Sequence, residues 1–451
     1  MASQSTSRPL VAVLAWLVAA PLAAQAPAPA PAPVRLTFAD AVRRAAGTAP
    51  AVELAGLRTD EASARVGQAR AALLPNLAAS AGWVNRTFNK NSLGIKFPAF
   101  GGFSLPELIG PFNTYDTRLQ LSQTLLDFSS MGRVRAARAQ VSSAGAQGGA
   151  VSEGAAAGAA AAYLRAARAA AVVAARVADS SIAAELVGLA QAQKAAGVSA
   201  AIDVTRARTQ LVAAEGALLV VRNQLDRAHI DLARALGLDP AAPLQLADTL
   251  SATLPGADVP ASRDSIVALA LKGRPDLRAE VALGDAARSA QAAIAAERLP
   301  RIGVEADYGS NGPTPGSSIG TGQVALQVSL PILDGFRRER RADEQRAQVR
   351  ESEVRVRDLH QQIVADVDGA LLDLASAAAQ QGIAAERLKL ANDELAQARE
   401  RFKAGVAGNI EVIDAQSSLL RARDTDIDAR FAAASARVSL ARAAGVARTL
   451  H

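Results

Sequence analysis

Along this chain the spacing of apolar residues switches between two periods. Long tracts place them three or four residues apart, as one helix face requires, and short tracts between them alternate apolar and polar positions, as a strand does. The first period predicts helices over residues 37–74, 127–197, 201–237, 263–299, 334–405 and 409–444. Proline or glycine punctuates nearly every boundary, and Asp127, Asp334 and Asn409 are expected N-caps. At 1.5 Å per residue the two longest tracts would each reach on the order of 100 Å, more than a globule needs. In the third tract Leu211, Leu218, Leu225 and Leu232 recur every seven residues, each followed three places on by Ala214, Val221, Ala228 or Ala235. Leucine alternating with small residues makes a coiled-coil seam that a partner helix can approach closely. Gly145, Gly148, Gly149, Gly154 and Gly158 crowd the second tract, and the sequence offers no compensation for their helix cost.

The second period predicts strands at about 76–85, 117–126, 301–308 and 323–331. Val324, Leu326, Val328 and Leu330 alternate with polar or small neighbours; so do Leu119 and Leu121, Ile302 to Tyr308, and Leu77 to Trp83. Each strand then has one apolar and one polar face, the arrangement of a wall between lipid and a wet lumen. A half-buried soluble sheet would alternate in the same way. Trp83 and Tyr308 are expected at strand ends, as membrane-interface aromatics. Four strands cannot close around a channel, so the membrane reading requires oligomerisation, most simply three chains and twelve strands.

Internal repetition fixes the plan. Leu73-Leu74-Pro75 returns as Arg298-Leu299-Pro300, Leu125-Leu126-Asp127 as Ile332-Leu333-Asp334, and Gly197-Val198 with Ile202-Asp203-Val204 as Gly405-Val406 with Ile410-Glu411-Val412. The chain reads as two copies of helix, strand, strand, long helix, helix: a first repeat over 36–238, a connector over 239–262, a second repeat over 263–446 and a tail over 447–451. The fold class is therefore mainly α with a transmembrane β-barrel contribution. Ahead of the repeats, Arg8, the apolar run 10–18 and Ala23-Ala24-Gln25-Ala26 read as a signal peptide over 1–26, cleaved after Ala24 or Ala26. An alternating Ala/Pro linker over 27–35 follows, a stiff extended spacer. No cysteine stands at the cleavage point, so no N-terminal lipid anchor is expected.

Composition narrows the function. Of 451 residues 50% are hydrophobic but only 3% aromatic, so alanine replaces bulk, which suits close-packed rods. Zero cysteines and three histidines, His229, His360 and His451, exclude thiolate metal sites and leave little for catalysis. The net charge of +6 comes from interspersed charges, with no basic run of the kind that binds nucleic acid. The glycines of 309–322 lead into a strand rather than a helix and so cannot cradle phosphate, and Asp366 and Asp368 face different ways on a helix. No enzyme activity, cofactor, metal or nucleic-acid partner is expected. A soluble periplasmic coiled-coil scaffold or adaptor would share the signal and the heptads; the duplicated strands argue against it.

These residues bring a known family into view. Leu36-Thr37-Phe38-Ala39-Asp40-Ala41, Ala71-Ala72-Leu73-Leu74-Pro75, Arg274-Pro275-Asp276-Leu277, Pro331-Ile332-Leu333-Asp334-Gly335 and the turns at Gly197 and Gly405, taken with their spacing along the chain, resemble the TolC-like outer membrane efflux and secretion channels. The resemblance implies a homotrimer with a twelve-stranded barrel in outer membrane lipid and an α-helical tunnel reaching into the periplasm. It further implies docking on a periplasmic adaptor (membrane fusion) protein and an inner-membrane transporter of the RND or ABC class, for export of drugs, toxic compounds or secreted proteins. Glu411 and Asp414 match the acidic ring at the periplasmic entrance; at i and i+3 they share a helix face, and three copies would put six charges in one mouth. Gly197-Val198-Ser199 and Gly405-Val406-Ala407 match the adaptor-docking tips, and glycine there also suits a helix C-cap. The family's latch, an aspartate held by a tyrosine and an arginine, is degenerate: Asp203 is present, but Phe402 and Ala407 replace its partners.

Overall fold

The computed structural model describes residues 34–94, 106–250, 256 and 258–451. The expected signal peptide and residues 27–33 of the linker lie outside them. Two short helices open the fold, α1 (Phe38–Thr48) and α2 (Pro50–Ala71), and lead into β2 (Asn76–Asn89) and β3 (Leu108–Leu126), after the short strand β1 (Val34–Leu36). A helical hairpin follows, α3 (Phe128–Ala195) and α4 (Ala201–Ala235). After β4 (Leu244–Leu246) the same order recurs as α5 (Arg263–Gly273), α6 (Pro275–Ala295), β5 (Arg301–Gly312), β6 (Ile319–Ser329), α7 (Arg337–Lys403) and α8 (Asn409–Ala444).

Several expectations need correction. The tracts over 37–74 and 263–299 are each two helices, broken before Pro50 and Pro275, which take the first helical position where a missing N–H costs nothing. The residues before them, Ala49 and Arg274, are extended, as a following proline demands. Asp127 does cap α3, accepting from the amides of Ser129 and Ser130 at 2.9 and 3.2 Å. Asp334 does not cap α7 in that way: the helix begins three residues later, and the Asp334 carboxylate accepts from the amide and Nε of Arg338. Asn409 is the first residue of α8 rather than its cap, and Gly408 precedes it. β1 and β4, within the expected linker and connector, pair in parallel from Val34↔Leu244 to Leu36↔Leu246 and were not anticipated. The tail folds in as well, with His451 and Gly256 exchanging backbone hydrogen bonds of 2.7 and 3.1 Å.

The strands form one antiparallel sheet in the order β2-β3-β5-β6, each longer than its alternation suggested on at least one side. Beneath it α3 is the spine, with α2, α6, α4 and α8 packed along its length. The seam expected on α4 is real: Val221 and Leu232 are buried and Leu211, Leu218 and Leu225 half-buried, while Val212, Leu219 and Val220 between them stand exposed. One core sits where α1 crosses the hairpins and centres on Tyr163, whose ring meets Phe38 edge-on at 5.6 Å. Its hydroxyl, with one proton to share, lies 3.1 Å from the Leu36 carbonyl and 3.0 Å from the Asp248 carboxylate, and Asp248 accepts from the Phe38 amide, so connector, β1 and α3 are tied at one point. Burial pushes the Tyr163 phenol well above its ordinary range, so it stays a donor. A second core lies at the far end, joining both hairpins through Leu186, Val204, Leu395, Phe402, Val412 and Leu419.

Candidate channel surfaces: the sheet and the helical tip

The register shows how alternation becomes a wall. Leu77 faces Leu121, Leu121 faces Ala306 and Ala306 faces Val324, so residues at one level of all four strands share one side. The next levels bring Leu119 beside Tyr308 and Val304 beside Leu326 on that same side. No helix covers it: Leu77, Leu326 and Val328 are exposed and Val324 is 80% exposed. On the opposite side Arg118 donates to Asp116 and Asp307 and, at 3.3 Å, to Thr321, an ion-paired cluster between Gln120, Glu305 and Gln323. From Leu126 to Tyr115 β3 covers roughly 36 Å at about 3.3 Å per residue, which at a tilt of about 40° is a height of roughly 28 Å, close to a barrel's apolar band of about 25 Å. Among the described residues no helix is long and apolar enough to cross a membrane.

Trp83 and Tyr308 do not stand at strand ends, because β2 and β5 run on to Asn89 and Gly312. Trp83 faces Tyr115 and donates from Nε1 to Asn113 at 3.2 Å, at the upper edge of the apolar band. Tyr308 lies four residues lower, facing Gly322; a Cβ at Gly322 would sit 3.1 Å from its ring, so the ring covers a site where the outer face lacks side chains.

At the other end of the molecule both hairpins turn on the same device. Gly197 and Gly405 adopt φ of 75° and 72°, which admits glycine without strain. The amide of Val198 reaches back to Gln193 O at 3.0 Å and that of Val406 to Arg401 O at 3.1 Å, the Schellman pattern. Val198 and Val406 are exposed, and the two turns lie side by side, Val198 Cγ1 falling 3.7 Å from a Cβ built at Gly405. Ser199 is half-buried with Oγ 3.5 Å from the Ala190 carbonyl, and Ala407, in the second turn, is likewise half-buried. Two side chains cross between hairpins: Gln193 Nε2 donates to Phe402 O at 2.8 Å and Asn409 Nδ2 to Asp203 O at 2.9 Å. Gln193 was not singled out from the sequence, and Asn409 was expected only as an N-cap; a lone amide in a polar turn carries no signal of a cross-hairpin bond.

The structure separates the expected site residues. Glu411 is engaged, with Arg401 Nε 3.3 Å from its carboxylate, whereas Asp414 is exposed and forms no ion pair among the described residues. Asp203 spends its carboxylate on its own helix, accepting from the Ala200 amide at 3.3 Å with Arg206 at 3.8 Å. Phe402 is buried in the tip core, a packing residue where the latch would want a hydroxyl. Further up, Asp179 is almost wholly buried between Arg176 at 3.0 Å and Arg423 at 2.6 Å, and Arg176 also grips Asp424, which binds α3 to α8. This cluster was missed; its one signal was a charged pair, Arg176 and Asp179, inside an alanine tract.

A sheet polar on one side and openly apolar on the other, continued by paired helices of 68 and 67 residues, defines the exit channel of an outer membrane. The family description "outer membrane efflux protein" matches residues 41–238 and 266–446, and the chain belongs to that family. It is similar to protein CyaE of Bordetella pertussis, 30% identical over 406 residues covering 87% of this chain and 80% of that one. It is 27% identical over 273 residues, 58% of this chain and 54% of the other, to a probable efflux pump outer membrane protein, TtgC, of Pseudomonas putida. Its fold matches the CmeC outer membrane channel of Campylobacter jejuni with a TM-score of 0.77 over 91% of this chain and 86% of that one, at 15% identity. The protein is thus placed in the outer membrane, and the family and the relatives it matches are described as outer membrane efflux proteins. The soluble-scaffold reading falls with that placement.

Proposed function

We propose that three copies of the chain close a twelve-stranded barrel and a continuous helical tunnel, the exit duct of an export assembly completed by a periplasmic adaptor and an inner-membrane transporter. The observation that carries this is the open sheet. Its edge strands β2 and β6 run in opposite directions, so β6 of one copy and β2 of the next pair antiparallel, and repeating the step keeps one apolar side outward all round. Its cargo would be small molecules or secreted proteins, and the names of the matched relatives favour efflux cargo. The paired turns at Gly197-Val198-Ser199 and Gly405-Val406-Ala407 offer two exposed valines side by side for adaptor hairpins, and Glu411 with Asp414 lines the mouth. Trp83 serves as an interface aromatic at the upper edge of the band, whereas Tyr308, expected in that role, lies four residues lower within it.

The test is the native mass and fractionation of the exported protein in detergent, followed by planar-bilayer recording. A species of about three times the chain mass recovered from outer membranes, with discrete conductance steps, is the expected result. A monomer without conductance would remove the trimeric duct while leaving the family assignment intact.

A further inference from the structure

The two repeats differ where strand passes into long helix. In the first, Leu126 still pairs with Ile302 and Asp127 caps α3 at once. In the second, β6 ends at Ser329, paired with Arg301, and Pro331 then removes an amide; the chain runs unpaired for seven residues before α7 begins. That turn exposes Ile332 at 87%, Leu333 at 77% and Phe336 at 67%, among the most exposed large apolar side chains of the protein. Exposure on this scale normally belongs to a floppy segment, yet this one is built. Arg338 is buried and its guanidinium donates to Asp334 Oδ2 at 2.9 Å and to the carbonyls of Pro331, Ile332 and Glu297 at 3.1, 3.4 and 3.4 Å. Gly335 and Phe336 both take φ near +65°, and for Phe336 this is a strained conformation that the surrounding bonds must hold. Within the next turn Arg337 is exposed and has no ion pair among the described residues, and Arg340 is 84% exposed with Asp343 at 3.5 Å.

The geometry points to the turn between β6 and α7 as an interfacial anchor, seating Ile332, Leu333 and Phe336 in the acyl edge of the periplasmic leaflet with Arg337 and Arg340 against lipid phosphates. Apolar residues followed within one helical turn by exposed guanidinium groups match the polarity step of a bilayer surface. The occupant is lipid rather than a second copy because of direction. Ile332 has the same parity in sequence as Val324, Leu326 and Val328 of the outward side and stands exposed three residues past the paired end of β6 at Ser329, whereas a neighbouring copy would approach the edge of β6 in the plane of the sheet. The inference rests on the membrane placement of the sheet, and its test includes a control for that placement.

The full-length protein, with Trp16→Phe and Trp83→Phe as background, would carry one tryptophan at a time, Phe336→Trp or Leu326→Trp, in vesicles of phosphatidylcholine and phosphatidylglycerol containing brominated acyl chains. Both single tryptophans are expected to lose most of their fluorescence to the brominated lipid. Adding Arg337→Gln and Arg340→Gln should relieve the quenching at position 336 and leave that at 326 unchanged. Quenching at 326 combined with quenching at 336 by aqueous iodide alone would overturn the anchor and keep the barrel; loss of lipid quenching at both would sink the membrane reading of the sheet. Should Phe336→Trp fail to assemble, Ile332→Trp reads the same contact from extended backbone, with the same two outcomes.

Discussion

At the scale of single residues, the charges that matter here are those the helices bury. Asp179 lies between Arg176 and Arg423 with almost no water to share, so each partner's desolvation is offset only while the carboxylate is present. Asp179→Ala leaves two guanidinium groups short of a counter-charge between α3 and α8, and we expect a loss of about 3 kcal/mol in reversible unfolding, at the lower end for buried pairs because Arg423 is partly solvated. An unchanged midpoint would show that Asp424 takes over. Asp276 gives a pH readout. Burial works against its ionised form, but Arg274, gripping it through Nε and Nη2 at 3.2 and 2.7 Å, outweighs that and holds its carboxyl below the ordinary value of 3.8. A depressed folded-state value means the stabilisation is complete above about pH 4 and is lost as pH falls through the lowered value. Thermal unfolding should therefore decline more steeply below pH 4 for the native protein than for Asp276→Asn; parallel curves would contradict the assignment. Little of this was legible beforehand, because a pair such as Arg274 and Asp276 reads from sequence as two surface charges until Asp366 and the Ala443 carbonyl of α8 close around the arginine.

Elements were far easier to read than contacts. Period and punctuation located six helical tracts and four strands because each tract is long enough for its repeat to stand out, and tertiary packing had only to confirm it. What failed was local: Pro50 and Pro275 sit at first helical positions inside uninterrupted apolar periods, and the strands β1 and β4 are three residues each, too short to show alternation. The glycine crowding of α3 now divides in two. Gly132 has the α6 backbone against it, a Cβ there falling 2.7 Å from Ala293 Cα, and a Cβ at Gly149 would lie 3.2 Å from Pro275, so these glycines let α3 and α6 approach. Gly154 faces open space and nothing in the chain explains it. The two classes predict opposite signs: Gly132→Ala should destabilise by about 1 to 3 kcal/mol through overpacking against backbone, whereas Gly154→Ala should stabilise by about 0.5 to 1 kcal/mol through helix propensity. Unfolding of the two variants in parallel decides it, and equal signs would mean that α6 is not held where the structure puts it.

For the whole molecule, the duplicated plan and the two-sided sheet were visible in sequence because both are periodic, while the state of the mouth was not, because it depends on which charges meet across a turn. Sequence alone counts Glu411 and Asp414 as equivalent and gives three copies six negative charges. The structure withdraws half of that: Arg401, one turn before Gly405, lies 3.3 Å from Glu411 and offsets its field, so in the proposed trimeric mouth the carboxylates left without an ion pair among the described residues are those of Asp414. Free carboxylates converging in a narrow mouth attract divalent cations far more than the same groups on an open surface, since the surrounding protein weakens screening. Block of single-channel current by calcium or magnesium should therefore respond unequally. Asp414→Ala is expected to raise the half-blocking concentration on the order of ten-fold, about 1.4 kcal/mol of cation affinity, and Glu411→Ala to change it little. Arg401→Ala should act in the opposite sense, because it frees Glu411 and adds charge to the ring, so that block tightens. Equal effects of the two acidic substitutions, or no effect of removing Arg401, would show that the carboxylates do not converge on the conducting axis and that the selectivity of the mouth is set elsewhere on the tip.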